Sequence, residues 1–268
     1  MTSRAAARPR PRTKKRDPGW VPNQHGAWAM LVAPVVLGAM LAERLDWRHV
    51  LLLAFVLVGY LAFFATGLWL KARRRPRYLP PVQAYLPAAA VVGLLVAVSA
   101  PHLVRWAPLF VVPMAVGLYA SATRDERSIW SGLATTAGAT LLTPVAFDVA
   151  GDWSGRTTTV WWATSVLGGY FAGTVFYVKT MIRERGAKGW WVASILWHLL
   201  VIGLVALGPV VVGMPWGAVV PALVVAVALL ARAAVLPRYP LTPTTVGMLE
   251  IVMTVGVVVC VWSGAAAA

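Results

Sequence analysis

Five polar or charged residues stand at the edges of long apolar runs or inside them, where such side chains usually serve a purpose. His25 begins the first apolar run, Arg124 follows the fourth, Lys179 and Arg183 follow the sixth, and Glu250 lies inside the last. Arginine binds phosphate with two donors, lysine binds it as a point charge, and histidine binds an anion or carries a proton. We therefore predict that these five residues form a site for an anionic ligand.

Glu250 needs a partner because a lone carboxylate is costly in hydrocarbon. Lys179 is followed by Thr-Met-Ile, so the apolar part of its helix continues past the charge and the lysine is expected to face a cavity. Counted along their helices, Lys179 and Glu250 lie at similar depths from the same side. The sequence predicts that both face one cavity and are coupled, with Lys179 or Arg183 as the counter-ion of Glu250.

The elements that must position these residues are membrane helices. Of the 268 residues, 59% are hydrophobic and 12% are charged, which is more apolar surface than a soluble domain of this size could bury. Backbone groups in a bilayer are satisfied within a helix, so long apolar runs predict an all-α, polytopic bundle of about nine helices. The runs are Ala27–Glu43, Val50–Leu70, Val82–Ala100, Trp106–Ala122, Ile129–Ala150, Thr159–Val178, Trp190–Gly213, Trp216–Leu236 and Thr245–Ser263.

The distribution of basic residues predicts the orientation of the bundle. With the N-terminus inside, 20 of the 24 lysines and arginines fall in inside segments, as the positive-inside rule expects, and the C-terminus is outside. Residues 1–20 are rich in Arg, Lys and Pro and are predicted to be a disordered cytoplasmic tail, whereas residues 21–268 form one transmembrane domain. The net charge of +15 therefore calls for membrane lipid as a partner and not for nucleic acid.

Three stretches carry a resemblance to a known family. They are Asn-Gln-His-Gly-Ala-Trp-Ala-Met at residues 23–30 with Pro34 and Gly38, Gly-Thr-Val-Phe-Tyr-Val-Lys-Thr-Met-Ile-Arg-Glu-Arg at residues 173–185, and Leu-Thr-Pro at residues 241–243 leading to Gly247 and Glu250. Together they resemble the YwiC-like family of bacterial membrane proteins. The resemblance implies a multi-pass protein of the bacterial inner membrane and implies no particular activity.

The helix count and the polar motifs at the inner ends of helices two and six also resemble, more distantly, the UbiA superfamily of intramembrane prenyltransferases. That resemblance implies aspartate-rich motifs that hold a diphosphate through Mg²⁺. This chain has nine acidic residues and no pair of aspartates at either place, and its one cysteine is Cys260. We therefore predict no metal site and no cofactor, and an anion bound directly by lysine and arginine.

Several functions are compatible with these residues. The first hypothesis is a cytoplasm-facing pocket for a phosphorylated or lipid-like anion, and its enzyme version is a UbiA-like transferase in which His25 or Glu250 accepts a proton. A transporter would use Lys179, Glu250 and His198 as a path across the core. A non-catalytic membrane subunit is the third class. Asp148 and Asp152 are expected at the outer surface.

Overall fold

The structure is a computed structural model that describes residues 19–22, 25–42, 44–151, 153 and 155–266, without the side chain of His25. Most of the predicted tail, together with Asn23, Gln24 and Asp152, lies outside these residues. In the described part of the chain there are eleven α-helices and no strand. The helices are α1 (His25–Leu41), α2 (Trp47–Lys71), α3 (Leu79–Ser99), α4 (Ala107–Thr123), α5 (Ile129–Thr140), α6 (Leu142–Asp148), α7 (Thr157–Val178), α8 (Lys188–Ala206), α9 (Gly208–Val212), α10 (Trp216–Val235) and α11 (Pro243–Ala266).

Each of the nine predicted runs corresponds to a helix or to two consecutive helices. The fifth run divides into α5 and α6 at Leu141, and the seventh into α8 and α9 at Leu207. Six described helices are long and apolar enough to cross a membrane, and α1 is a shorter apolar helix. In contrast, α7 contains several threonines and glycines and is the most enclosed of the long helices, since twelve of its residues are buried. The all-α, multi-pass class is confirmed.

The connections between helices gather at two ends of the bundle. One, here called the basic end, holds residues 72–78, 124–128, 184–187 and 236–242. The other, the far end, holds the described residues 42, 44–46, 100–106, 149–151, 153, 155–156 and 207–215. At the basic end, Arg185 donates a hydrogen bond to the carbonyl of Leu241 at 3.0 Å. At the far end, Arg156 donates to the carbonyls of Leu41 and Ala265 at 3.2 and 3.1 Å.

Six helices close into a ring. In the order α1, α2, α4, α5, α7 and α11, each helix packs against the next, and α11 packs against α1. Helix α3 packs on the outside of α2, whereas α8 packs on α7, and α10 packs on α8 and α11.

The ring is tight at the far end because α6 packs closely against α1. A Cβ atom added at Gly38 would lie 2.2 Å from the carbonyl oxygen of Thr143 and 2.7 Å from the Cβ of Ala146. Only glycine permits this approach. Nearby, Asp46 caps α2, since its side chain accepts a hydrogen bond from the amide of Arg48 at 3.0 Å. The centre of the ring therefore narrows towards the far end.

Candidate functional site

A cavity of about 1350 Å³ is lined by residues of the ring helices and of α3, and it reaches the basic end. Most of its wall is apolar, with Phe55 and Phe63 from α2 and Phe110 from α4. Towards the far end it is lined by Leu103 and Trp106. A ligand filling this space would have one long apolar part, since polar side chains are concentrated near one end of the cavity.

Four cations line the cavity at the basic end: Lys71, Arg127, Lys179 and Arg183. Lys71 is paired with Glu126, with 2.8 Å between Nζ and Oε1. The other three form no salt bridge with any residue of the described chain. Burial lowers the pKa of Arg183, and the neighbouring positive charge of Arg127 lowers it further. Two arginines therefore share one region and compete for the same counter-charge.

The first turns of three helices line the same part of the cavity. They contribute Gly26 from α1, Ser131 and Gly132 from α5, and Thr244 from α11. The free amides and the dipole at the start of a helix favour negative charge. Helix α5 is capped by Ser128, whose hydroxyl accepts a hydrogen bond from the amide of Ser131 at 3.4 Å. Side chains and helix termini thus favour an anion at one place.

A turn of π-helix over Lys179–Arg183 continues α7 and carries two of the predicted residues. Its hydrogen bonds span five residues instead of the four of an α-helix, as shown by the amide of Glu184, which donates to the carbonyl of Lys179 at 2.8 Å. Such turns are rare and are often found at functional sites. The ammonium of Lys179 lies 4.3 Å from the centroid of the Trp190 ring. Both Lys179 and Arg183 line the cavity.

Glu250 also lines the cavity, but its ion pair is with Arg232. Neither Lys179 nor Arg183 is its partner, so the predicted counter-ion is corrected. Thr174 donates to Oε2 of Glu250 at 3.0 Å, and the hydroxyl of Tyr170 lies 3.3 Å from the same oxygen. The carboxylate therefore has a complete set of donors on the wall of the cavity.

Arg232 is a buried residue of α10, with 6% of its surface exposed. Its guanidinium lies 4.1 Å from the centroid of the Tyr177 ring. The sequence contained a sign of this position, because Arg232 is followed by Ala-Ala-Val-Leu before the next break. A cation with apolar residues on both sides faces the protein interior, by the same reasoning that was applied to Lys179.

The remaining predicted ligands have different positions. Arg124 ends α4 with a φ of 62°, is exposed, and does not line the cavity, whereas Arg127 does. His25 is the first residue of α1 and its neighbour Gly26 lines the cavity, but the imidazole lies outside the described atoms. The structure thus brings together Lys179, Arg183 and Glu250.

Sequence reasoning did not assign Arg127, Tyr170 or Thr174 to the site, and it interpreted Lys71 mainly as an anchor of its helix end. Arg127 lies three residues after Arg124 in the same loop, and nothing in the spacing distinguishes the two. Tyr170 and Thr174 are four residues apart and share a face of α7. The sequence gave one hint of their position in the site, because Tyr170 and Thr174 carry polar atoms within a largely apolar helix.

Asp148 is buried, with 1% of its surface exposed, so the expectation of an outer-surface residue is wrong. Arg105 donates to both of its carboxylate oxygens at 2.7 Å, and Nε1 of Trp106 donates to Oδ2 at 2.7 Å. These donors stabilise the charge inside the far end. His198 is buried on α8, where its Nδ1 donates to the carbonyl of Ser194 at 2.7 Å.

Acidic and histidine side chains do not converge in the described residues. No group of three or more His, Cys, Asp or Glu there could hold a metal ion. At the basic end of the cavity the acid is Glu126, and Glu250 lies deeper.

Comparisons with known proteins agree on one family. The sequence model of the YwiC-like protein family matches residues 21–147. A Bacillus subtilis (strain 168) protein called "Uncharacterized protein YwiC" is 30% identical over 191 residues, which cover 70% of this chain and 77% of that protein. A Haemophilus influenzae (strain Rd) protein called "Uncharacterized protein" is 29% identical over 247 residues, covering 87% of this chain and 93% of that protein. No solved structure matches the chain.

Proposed function

The chain belongs to the YwiC-like protein family, and because the names of its relatives state no activity, we propose a function from the geometry of the cavity. We propose that the protein binds an anionic amphiphile, with a phosphate-like or carboxylate head at the basic end and an apolar chain in the cavity. One observation carries this proposal: the cations Arg127, Lys179 and Arg183 stand at one end of a cavity whose remaining wall is mostly apolar.

The charges favour direct binding of the head group. Three cations without an ion-pair partner in the described chain meet the first turns of α1, α5 and α11. Arginine can donate two parallel hydrogen bonds to a phosphate, and a helix start adds amide donors. An anion at this place would reduce the repulsion between Arg127 and Arg183. His25, at the start of α1, is a further candidate ligand.

The size of the cavity favours a ligand with a long apolar part. Its volume of about 1350 Å³ exceeds the roughly 300–1,000 Å³ of most small-molecule pockets. Phe55 and Phe110 lie on its wall, and at the far end Leu103 and Trp106 continue the apolar lining. A free inorganic anion would leave most of this surface unused, so the cavity fits an amphiphile better.

Mass spectrometry of co-purified lipids tests the proposal. The protein would be extracted into polymer nanodiscs, and an anionic amphiphile is expected to be enriched over the surrounding membrane. The double variant R127Q/R183Q should lose this enrichment several-fold. Arg124→Gln is the matched control, because Arg124 belongs to the same loop and does not line the cavity. Equal enrichment in R127Q/R183Q and in Arg124→Gln, or no enrichment in the parent protein, would refute the proposal.

Two alternative activities remain as separate proposals. A transferase would need a proton acceptor, and the candidates are His25 and Glu250. A transporter would need polar groups at the far end of the cavity, where the lining residues include Leu103, Val104 and Trp106. These side chains favour binding or transfer from one side over transport. Release of the co-purified amphiphile into acceptor vesicles through the far end would favour transport instead.

We also propose that the chain lies in the bacterial cytoplasmic membrane with the basic end inside. The relatives come from Bacillus subtilis and Haemophilus influenzae, and the positive-inside rule gives the orientation. Reporter fusions after Arg77, Arg156 and Ala268 are expected to score inside, outside and outside. An outside score for the Arg77 fusion would reverse the orientation and with it the side from which the head group binds.

A further inference from the structure

A second group of polar side chains is buried behind the Arg232–Glu250 pair, between α7, α8 and α10. Arg232 and His198 are 6% and 4% exposed, and Tyr177 and Ser194 are fully buried. None of these four residues lines the amphiphile cavity. They are therefore separate from the site described above, although Arg232 touches it through Glu250.

Several contacts link the helices that carry the four side chains. The guanidinium of Arg232 lies 4.1 Å from the centroid of the Tyr177 ring. Nε2 of His198 lies 3.1 Å from the place where a Cβ of Gly173 would stand, and Gly173 is one turn before Tyr177 on the same face of α7. Ser194 is one turn before His198 on α8, which packs against both α7 and α10.

The group contains hydrogen-bonding atoms that have no partner in the described chain. Nη1 of Arg232 donates to Glu250, whereas its Nε and Nη2 are unpaired. Nδ1 of His198 donates to the Ser194 carbonyl, so Nε2 of the neutral ring is an acceptor, and it too is unpaired. The hydroxyls of Tyr177 and Ser194 are also unpaired. A buried donor or acceptor that stays unsatisfied destabilises the folded state.

We propose that Arg232, Tyr177, Ser194 and His198 enclose a hydration site that holds ordered water. The water accepts hydrogen bonds from Arg232 and Tyr177 and donates to Nε2 of His198. A buried water commonly makes about three hydrogen bonds, which these donors and this acceptor supply. The site links the imidazole of His198 to the carboxylate of Glu250 through Arg232, and it stands independently of the ligand proposed for the cavity.

Water fits this place better than an inorganic anion. The charge of Arg232 is already balanced by Glu250, so an added anion would leave a net negative charge in the interior. The group also includes a hydrogen-bond acceptor, Nε2 of neutral His198, whose lone pair would be repelled by an anion. A water molecule satisfies donors and acceptors together without changing the charge.

Radiolytic hydroxyl labelling of the whole protein in ¹⁸O-water, read by mass spectrometry, tests the hydration site. Radicals formed from bound water modify adjacent side chains, so Tyr177 and His198 should be labelled several-fold faster than Phe147 after correction for intrinsic reactivity. Phe147 is the control because it is 3% exposed, has no polar atom and does not line the cavity. His198→Phe should slow the labelling of Tyr177 by filling the site.

Two results would overturn the proposal. In the parent protein, labelling of Tyr177 and His198 as slow as that of Phe147 would exclude ordered water there, and this comparison does not depend on the folding of any variant. A rise in thermal stability when gluconate is replaced by chloride, abolished by Tyr177→Phe, would assign the site to an anion instead. Equal stability in both salts together with fast labelling is the expected result.

Discussion

The two ends of the bundle use the same kinds of residue in different ways. At the far end, Asp148 accepts hydrogen bonds from Arg105 and Trp106, and Arg156 donates to two backbone carbonyls. At the basic end, Arg127 and Arg183 lie near each other and form no salt bridge with the described residues. Paired charges at the far end hold helices together. Cations that lie beside a cavity without an ion-pair partner can donate hydrogen bonds to a ligand.

Packing follows the same contrast. Gly38 on α1 brings the helix into contact with α6 at the far end, whereas a Cβ on Gly26 at the start of the same helix would meet no described atom within 4 Å. Among the described residues, helix α1 is therefore packed tightly at one end and loosely at the other. This difference predicts that variants at the far end lose stability and that variants at the basic end lose binding, and each prediction below tests one part of that contrast.

The largest effect on stability is expected at the Arg232–Glu250 pair, which lies between the two ends. Glu250→Ala leaves the buried guanidinium without its counter-ion, and such a change typically costs about 3–5 kcal/mol of unfolding free energy. Unfolding of the variant in mixed micelles measures the loss. Because Arg232→Met removes the charge that Glu250 balances, the double variant should cost less than the sum of the two single changes.

A second cycle with Lys179 sharpens this result. Lys179 and Glu250 line one cavity, but Lys179 lies over Trp190 and Glu250 pairs with Arg232. The coupling between Lys179→Ala and Glu250→Ala should therefore be smaller than that between Arg232→Met and Glu250→Ala. A larger coupling for the Lys179 cycle would mean that the lysine is the effective counter-ion, as the sequence alone predicted.

Gly38→Ala tests the closed far end. The added methyl would lie 2.2 Å from the carbonyl oxygen of Thr143, so α1 and α6 must separate. Overpacking of this kind costs about 1–3 kcal/mol, and contact with backbone favours the upper part of that range. Gly26→Ala is the matched control on the same helix and should change stability by less than about 0.5 kcal/mol. Equal losses at both glycines would contradict the contrast between the ends.

Asp148→Asn should have an intermediate effect. The amide keeps the shape of the side chain but loses the charge that Arg105 and the indole of Trp106 bind. We expect a loss of about 2 kcal/mol in unfolding free energy, because hydrogen bonds to a charged group are stronger than neutral ones. Arg105 is half-exposed and can turn to water, which limits the loss.

Glu126→Gln is the control for Asp148→Asn at the basic end. Glu126 is also paired with a cation, Lys71, but both side chains are partly exposed. Exposed pairs contribute about 0–1 kcal/mol, so this variant should unfold almost like the parent protein. A loss at Glu126 as large as that at Asp148 would show that the mouth of the cavity is as rigid as the far end.

Much of the fold followed from the sequence because hydrocarbon leaves few choices for a backbone. Apolar runs of the right length must be helices, and the basic loops gave the orientation. The breaks at Leu141 and Leu207 were missed because the runs around them stay apolar, although Pro144 and Gly208-Pro209 follow them closely and proline interrupts a helix. The π turn at Lys179–Arg183 was missed for a similar reason, because it changes hydrogen bonding without changing composition.

The candidate site was harder to predict because it depends on which helices are neighbours. Lys179, Arg183 and Glu250 do line one cavity, and their depth along each helix was readable from the sequence. The ion-pair partner of Glu250 could not be predicted from the sequence, because Arg232 belongs to α10 and the packing of α10 against α11 is a feature of the folded bundle. Arg127 and Arg124 belong to the same short loop, and only the folded loop shows that Arg127 lines the cavity and Arg124 does not. Which helices and loops are neighbours is visible only in the packed bundle.

Arg127→Gln is expected to have the smallest effect on stability and the largest effect on binding. Burial and the neighbouring charge of Arg127 both lower the pKa of Arg183, so Arg127→Gln removes the second cause and this pKa should rise towards its ordinary value. Without a ligand, the unfolding free energy should change by less than about 0.5 kcal/mol, because Arg127 is exposed and makes no salt bridge in the described structure.

Retention of the co-purified amphiphile by Arg127→Gln should nevertheless fall several-fold, because the head group loses a bidentate donor. Asp148→Asn should behave in the opposite way, with lower stability and normal retention per folded molecule. Measuring both quantities for both variants therefore separates a binding end from a structural end. If retention instead followed stability across all the variants, the cations at the basic end would be anchors of helix ends, and the contrast between the two ends would reduce to a difference in packing.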